Sequence, residues 1–137
     1  MKKTIVMAAA ALAVAGFAST SAMAQDAAAG EKVAKKCLAC HTFEKGGAHK
    51  VGPNLFGAVH HKPGEGAEGF KFSDGFLAAT AKGFEWTDEN LMAYLEDPTA
   101  FLRATSGDDK ARSKMTFKLK DEKERQDVIA YLKTLKD

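Results

Sequence analysis

Both cysteines of the 137-residue chain lie in one pentapeptide, Cys37-Leu38-Ala39-Cys40-His41. A cysteine pair at this spacing serves three chemistries: a dithiol that exchanges disulfides, half of a zinc site, or a covalent anchor for haem. A redox dithiol belongs at a helix N-terminus within a βαβ unit. Here a helical stretch precedes the motif and no strand pattern is present. A structural zinc needs four ligands, and the remaining candidates, His60 and His61, are adjacent and awkward for one tetrahedron. A plain disulfide across so tight a loop adds little. The histidine directly after the second cysteine favours haem c: two thiols three positions apart reach the vinyl groups of one porphyrin, and the next residue offers an imidazole to the iron.

If His41 binds one face of an iron, the other face needs a partner, and thioether sulfur is common in electron-transfer haems. Met1, Met7 and Met23 fall in the N-terminal leader described below, which leaves Met92 and Met115. Met92 sits in an apolar helical stripe, where methionine is usually core filler. Met115 follows a polar loop and can swing to the iron without distorting a helix. Met115 is therefore favoured, with Met92 as the alternative.

The compartment follows from the first residues. Lys2 and Lys3 precede an apolar, alanine-rich run from Ile5 to Phe17, and Ala22-Met23-Ala24 forms a cleavage site. The run is shorter than the roughly 20 residues of a membrane-spanning helix. Residues 1–24 read as a secretory signal peptide cleaved after Ala24, and 25–137 as a single domain exported to the periplasm. An uncleaved membrane anchor is the alternative. The leader takes two of the 20 basic residues and none of the 18 acidic ones, so the remainder is neutral overall with its histidines uncharged. No nucleic-acid partner is expected, and the domain is expected to be a monomer.

The elements that must position the motif read as helices. Asp26 caps a helix running to Lys36 that delivers the chain into Cys37. Thr42 to Gly69, with Pro53 and Pro63 and many glycines, reads as a long ordered loop. Ser73 opens a short helix that Gly83 stops. Thr87 opens another, carrying Leu91, Met92, Tyr94 and Leu95, which ends at Asp97-Pro98. Thr105 to Lys114 reads as a loop. Asp121 with Glu124 forms a capping box for a last helix over 122–135, with Val128, Ile129, Tyr131, Leu132 and Leu135 on one stripe. The fold class is all-α, with four to five short helices and long loops. Such a domain has a thin core and needs a staple; a haem supplies a large apolar body for the loops to wrap.

Beyond the pentapeptide, "AAGEKVAKKCLACHTFEKGGAHKVGPNLFG", "GFKFSDG", "WTDENLMAYLEDP", "SKMTFKL" and "ERQDVIAYLKTLK" resemble, in order, the segments of class I c-type cytochromes, the group of bacterial cytochrome c2 and mitochondrial cytochrome c. The resemblance covers Asp26 to Lys136. It implies the cytochrome c fold around one haem c, with Cys37 and Cys40 as thioether anchors, His41 as proximal ligand and Met115 as distal ligand. It also implies that the Pro53 carbonyl holds the His41 N–H, that the Tyr94 hydroxyl approaches the methionine sulfur, and that Trp86 and Ser113 lie near a propionate. Gly30 and Tyr131 fall where the terminal helices cross. Three positions depart from the family pattern. His61 replaces an arginine, Phe72 a tyrosine and Ala34 an aromatic. His60 and His61 read either as solvated loop residues or as a pH-sensitive site.

With both axial positions filled by protein ligands, the resemblance implies an electron carrier and not an enzyme. Lys36, Lys45, Lys50, Lys62, Lys114 and Lys118 flank the haem segments and suggest a positive face for acidic partners. The implied donor is a cytochrome bc complex. The implied acceptor is an oxidase, a photosynthetic reaction centre or a periplasmic reductase. The rival readings are a peroxidase-like enzyme, should the Met115 bond be labile, and a thiol oxidoreductase, should no haem be attached.

Overall fold

The computed structural model describes residues 25–137, so the leader expected at 1–24 lies outside the described residues. The described chain folds into five α-helices and contains no strand. Each helix begins at a side chain that accepts from an otherwise orphaned backbone N–H. Asp26 Oδ1 opens α1 (Ala27–Ala34), accepting from Ala28 N at 2.9 Å and Ala29 N at 3.1 Å. Ser73 opens α2 (Asp74–Thr80) through Phe76 N at 3.1 Å. Thr87 opens α3 (Asp88–Glu96) through Asn90 N at 3.1 Å. Asp121 opens α5 (Glu122–Thr134) through Glu124 N at 2.8 Å.

The helix not expected from the sequence is α4, Pro98–Ser106. Asp97-Pro98 was expected only to stop α3, and it does. The same pair starts α4: Asp97 accepts from Ala100 N at 3.0 Å, and Pro98 occupies a first-turn position where its missing N–H costs nothing. The polar loop expected from Thr105 accordingly begins at Gly107, which closes α4 with φ 75°.

Helices α1 and α5 cross at contact distance through Gly30. A Cβ there would lie 1.9 Å from the Asp127 carbonyl oxygen and 2.9 Å from Tyr131 Cβ. Beside this crossing Ala34, 3% exposed, packs with Leu119 and Val128, while Phe43 and Tyr131 meet edge-on at 5.7 Å. The small side chain at 34 therefore leaves no hollow, because Phe43 and Tyr131 line the same cluster. Gly30→Ala is expected to lower the stability of the haem-loaded protein by about 3 kcal/mol, the upper end for overpacking. Guanidinium unfolding measures it, and an unchanged midpoint would refute the close crossing. A second cluster, Phe76, Ala79, Leu102 and Ala111, joins α2 to α4. Between the two clusters lies a cavity.

Candidate functional site

The 3₁₀ turn Lys35–Cys37 extends α1 into the cysteine motif. His41 N donates to Cys37 O at 2.9 Å and Cys40 N to the same oxygen at 3.1 Å, so residues 37–41 form one helical turn. Positions i, i+3 and i+4 of such a turn share a face, and Cys37, Cys40 and His41 all line the cavity. The following loop doubles back on the motif: Gly52 N donates to Cys40 O at 2.7 Å and Leu55 N to Thr42 O at 2.8 Å.

This return brings Pro53 to His41. Their contact, His41 Nδ1 to Pro53 O, is 2.7 Å. A carbonyl can only accept, so Nδ1 carries the proton and Nε2 keeps the lone pair that a metal needs. Burial pushes the His41 pKa below its ordinary value; the Pro53 bond works against this and Lys50 works with it. The ring is neutral near pH 7, as a ligand must be. Gly52 backs the imidazole so closely that a Cβ would sit 2.3 Å from His41 Cε1.

Met115 lines the same cavity, whose volume is about 280 Å³, and Met92 does not. Three bonds hold the Met115 segment. Met115 N donates to Ser113 Oγ at 3.0 Å, Tyr94 and Ser113 are linked through their hydroxyls, and Ser113 N donates to Thr99 Oγ1 at 3.1 Å. Burial raises the Tyr94 pKa and the Ser113 bond offsets part of that rise, so Tyr94 stays a neutral phenol. Downstream of Met115, Leu119 N donates to Leu95 O, and the buried Arg125 donates through Nη1 to the carbonyls of Leu119 and Lys120, all at 2.8 Å. Tyr94, Ser113, Trp86 and Phe72 also line the cavity, and Trp86 packs edge-on against Tyr94 at 5.1 Å.

The Cytochrome c family model matches residues 27–136. The chain belongs to the cytochrome c family. A cytochrome c2 of Rhodospirillum rubrum is 56% identical over 137 residues, spanning 99% of this chain and 100% of that one. Cytochrome c-550 of Novispirillum itersonii is 59% identical over 111 residues, 81% of this chain and 99% of that one. The solved cytochrome c2 of Rhodospirillum centenum superposes with a TM-score of 0.75 at 45% identity, covering 82% of this chain and 99% of that one. The all-α cytochrome c fold expected from the sequence is therefore the observed one. As a member of this family the protein is an electron-transfer haem protein and not an enzyme, and its cofactor is one covalently bound haem c.

The residues present fit that cofactor. Two thiols outside any disulfide, a neutral imidazole with a free Nε2, a methionine and largely apolar walls share one cavity. The rival chemistries fare worse. Burial pushes the Cys37 thiol up, with Cys40 adding to the rise, which is opposite to an activated dithiol. Among the described residues no cluster of three or more His, Cys, Asp or Glu is placed to hold a metal, and His60 Nε2 is engaged with the Lys133 carbonyl at 2.9 Å.

At the three departures from the family pattern, apolar or solvated contacts take over. Phe72 stacks on Phe76 at 4.4 Å in place of a hydroxyl contact. His61 is exposed beside Gly57 and Gly66 and is not part of the cavity wall. The lysines are more heavily paired than a simple positive face would require. Lys36 meets Glu124 at 2.7 Å, Lys45 meets Asp137 at 2.6 Å and Lys118 meets Asp97 at 2.8 Å. The Lys118 bond is the main reason the Asp97 carboxyl lies below the usual carboxylate range. Lys50 and Lys114 fold onto backbone carbonyls, of Leu38 and Lys71.

Sequence reasoning missed His49. Its Nδ1 accepts from Asn54 N at 3.0 Å and its Nε2 donates to the Glu68 carbonyl at 2.8 Å. One ring thus joins the segment that carries Pro53 to the segment that leads into Phe70. Nothing local marks it, since its partners lie 5 and 19 positions away. His49→Leu leaves the Asn54 N–H unpaired and is expected to cost about 2 kcal/mol. Chemical denaturation checks this, and a loss below a few tenths of that would show that water replaces the bond.

Proposed function

We propose that Cys37 and Cys40 anchor one haem c through thioethers and that His41 and Met115 are its axial ligands. The mature chain, residues 25–137, then works as a soluble monomer in the periplasm after removal of the leader 1–24. It accepts electrons from a cytochrome bc complex and passes them to an oxidase, a photosynthetic reaction centre or a reductase. The observation that carries the ligand assignment is the 2.7 Å bond from His41 Nδ1 to Pro53 O, which leaves Nε2 free in a cavity that also contains Met115.

The bound haem supplies a one-electron iron couple. The chain's own residues do the rest. The Pro53 bond fixes the imidazole tautomer and raises its basicity. A thioether favours the reduced iron and so raises the potential. Apolar walls around the site limit the solvent that must reorganise when charge moves. Trp86 and Ser113 are assigned to the propionates and Tyr94 to the methionine side. Lys50, Lys62 and Lys114, which form no ion pair with an acid among the described residues, are the charges that steer an acidic partner.

The decisive experiment is an acid-denatured mass spectrum of protein matured in a periplasm, combined with absorbance in both redox states. The expected result is the chain from Gln25 plus one haem, with the weak far-red band of a methionine–ferric-iron bond at neutral pH. A mass without haem overturns the anchor assignment, and a missing far-red band overturns that of Met115.

A further inference from the structure

Met115 is approached by a segment that is clamped from two sides before it reaches the cavity. After Gly107 ends α4, Ala111 turns into the core, 3% exposed, among Phe76 and Ala79 of α2 and Leu102 of α4. Two side chains of α4 hold its backbone: Arg103 Nε donates to Ala111 O at 3.0 Å, and Thr99 Oγ1 accepts from Ser113 N at 3.1 Å. On the other side α2 presents Gly75. A Cβ there would lie 2.6 Å from Arg112 N, 2.7 Å from Arg112 O and 3.1 Å from Ala111 Cβ. Gly75 is in ordinary helix, with no positive φ, so what it provides is space for this strap and not a special backbone angle.

The strap ends two residues before Met115, and Ser113 Oγ accepts the Met115 N–H. Met115 also lines a second cleft, together with Thr99, Ala100, Arg103, Thr116 and Lys118, so the first turns of α4 and the methionine border the same space. A methionine on a loop leaves its site more readily when the loop is loose, and here the Ala111 knob, the Arg103 bond and the Thr99 bond all oppose movement of the segment that leads to it.

We propose that Thr99, Arg103 and Gly75 are positioning residues: by pinning Ala111–Ser113 between α4 and α2, they set how often Met115 swings out of the cofactor cavity. None of the three lines that cavity. The proposal rests on the reading of Met115 as the distal ligand. The open population limits how strongly an outside ligand can bind in place of the methionine, because apparent affinity scales with the binding-competent fraction.

Exogenous imidazole on the ferric haem-loaded protein is therefore the probe. Thr99→Val keeps the shape and removes the oxygen; Thr99→Ser keeps the oxygen. Thr99→Val is expected to bind imidazole about fivefold more tightly, the worth of one hydrogen bond. Thr99→Ser is expected to restore the wild-type affinity. Amide exchange at Met115 should accelerate in Thr99→Val by a similar factor, and the far-UV melting temperature should fall by no more than the few degrees that one lost hydrogen bond costs. Gly75→Ala, which forces the strap away, should exceed Thr99→Val in both readouts; if it does not fold, the threonine pair still decides. Unchanged imidazole affinity in Thr99→Val overturns the proposal, as does a gain that Thr99→Ser fails to reverse. A wild-type protein without the far-red methionine band defeats the ligand reading instead and is recognised before any variant is made.

Discussion

Replacing both Cys37 and Cys40 by alanine is expected to leave a chain that does not fold at 25 °C. The two apolar clusters are small, one built on Phe76, Ala79, Leu102 and Ala111, the other on Ala34, Leu119 and Val128. Between them runs a cavity whose walls include Leu91, Phe76, Val128 and Leu132, all of them core side chains. Covering a few hundred Å² of apolar cofactor and wall surface is worth on the order of 10 kcal/mol. That equals the whole net stability of an ordinary domain, about 5–15 kcal/mol. Without the thioether anchors the cofactor is not retained, and the helices lose the surface they pack on. Far-UV circular dichroism of the double variant should show little helix and no cooperative melt. A native-like melt would mean that the clusters suffice alone and that the thin-core argument is wrong.

Met115→Leu should act on the redox site and hardly on the fold. Leucine and methionine are close in volume, so repacking costs less than about 1.5 kcal/mol. The thioether, however, is gone. The far-red band should vanish at neutral pH, and the midpoint potential should fall by on the order of 0.1 V or more, within the roughly 0.8 V over which axial ligands set haem potentials. Met92→Leu is the matched control. Met92 is half-buried on α3 and does not line the cavity, so its band and potential should stay as in the wild type. A band lost with Met92 and kept with Met115 would reverse the assignment.

The helix starts were the most legible part of the fold. Asp26, Ser73, Thr87 and Asp121 are short-range signals, each a side chain two or three residues from the N–H it satisfies. The start of α4 was hidden because Asp97-Pro98 carries two meanings: the residue before proline avoids the helical region, and proline itself suits a first turn. The lysine face was legible only as a count. Lys36, Lys45 and Lys118 find acids 88, 92 and 21 positions away, and no spacing rule links such pairs.

The reactive turn was determined locally. Positions 37, 40 and 41 share a face of one helical turn, so two thiols and an imidazole converge wherever that turn forms, and the loop around Met115 was the local reason to prefer it to Met92 as the proposed distal ligand. Tertiary packing supplied what local spacing could not. It brought Pro53 back to fix the His41 tautomer, set Gly30 against Asp127, and clamped the approach to Met115 between Gly75 of α2 and Thr99 and Arg103 of α4. The reason is the length scale of the interactions. A side chain three or four residues away is presented by the backbone geometry itself. A partner tens of residues away meets only if the intervening loops close, and that closure depends on every cluster they cross.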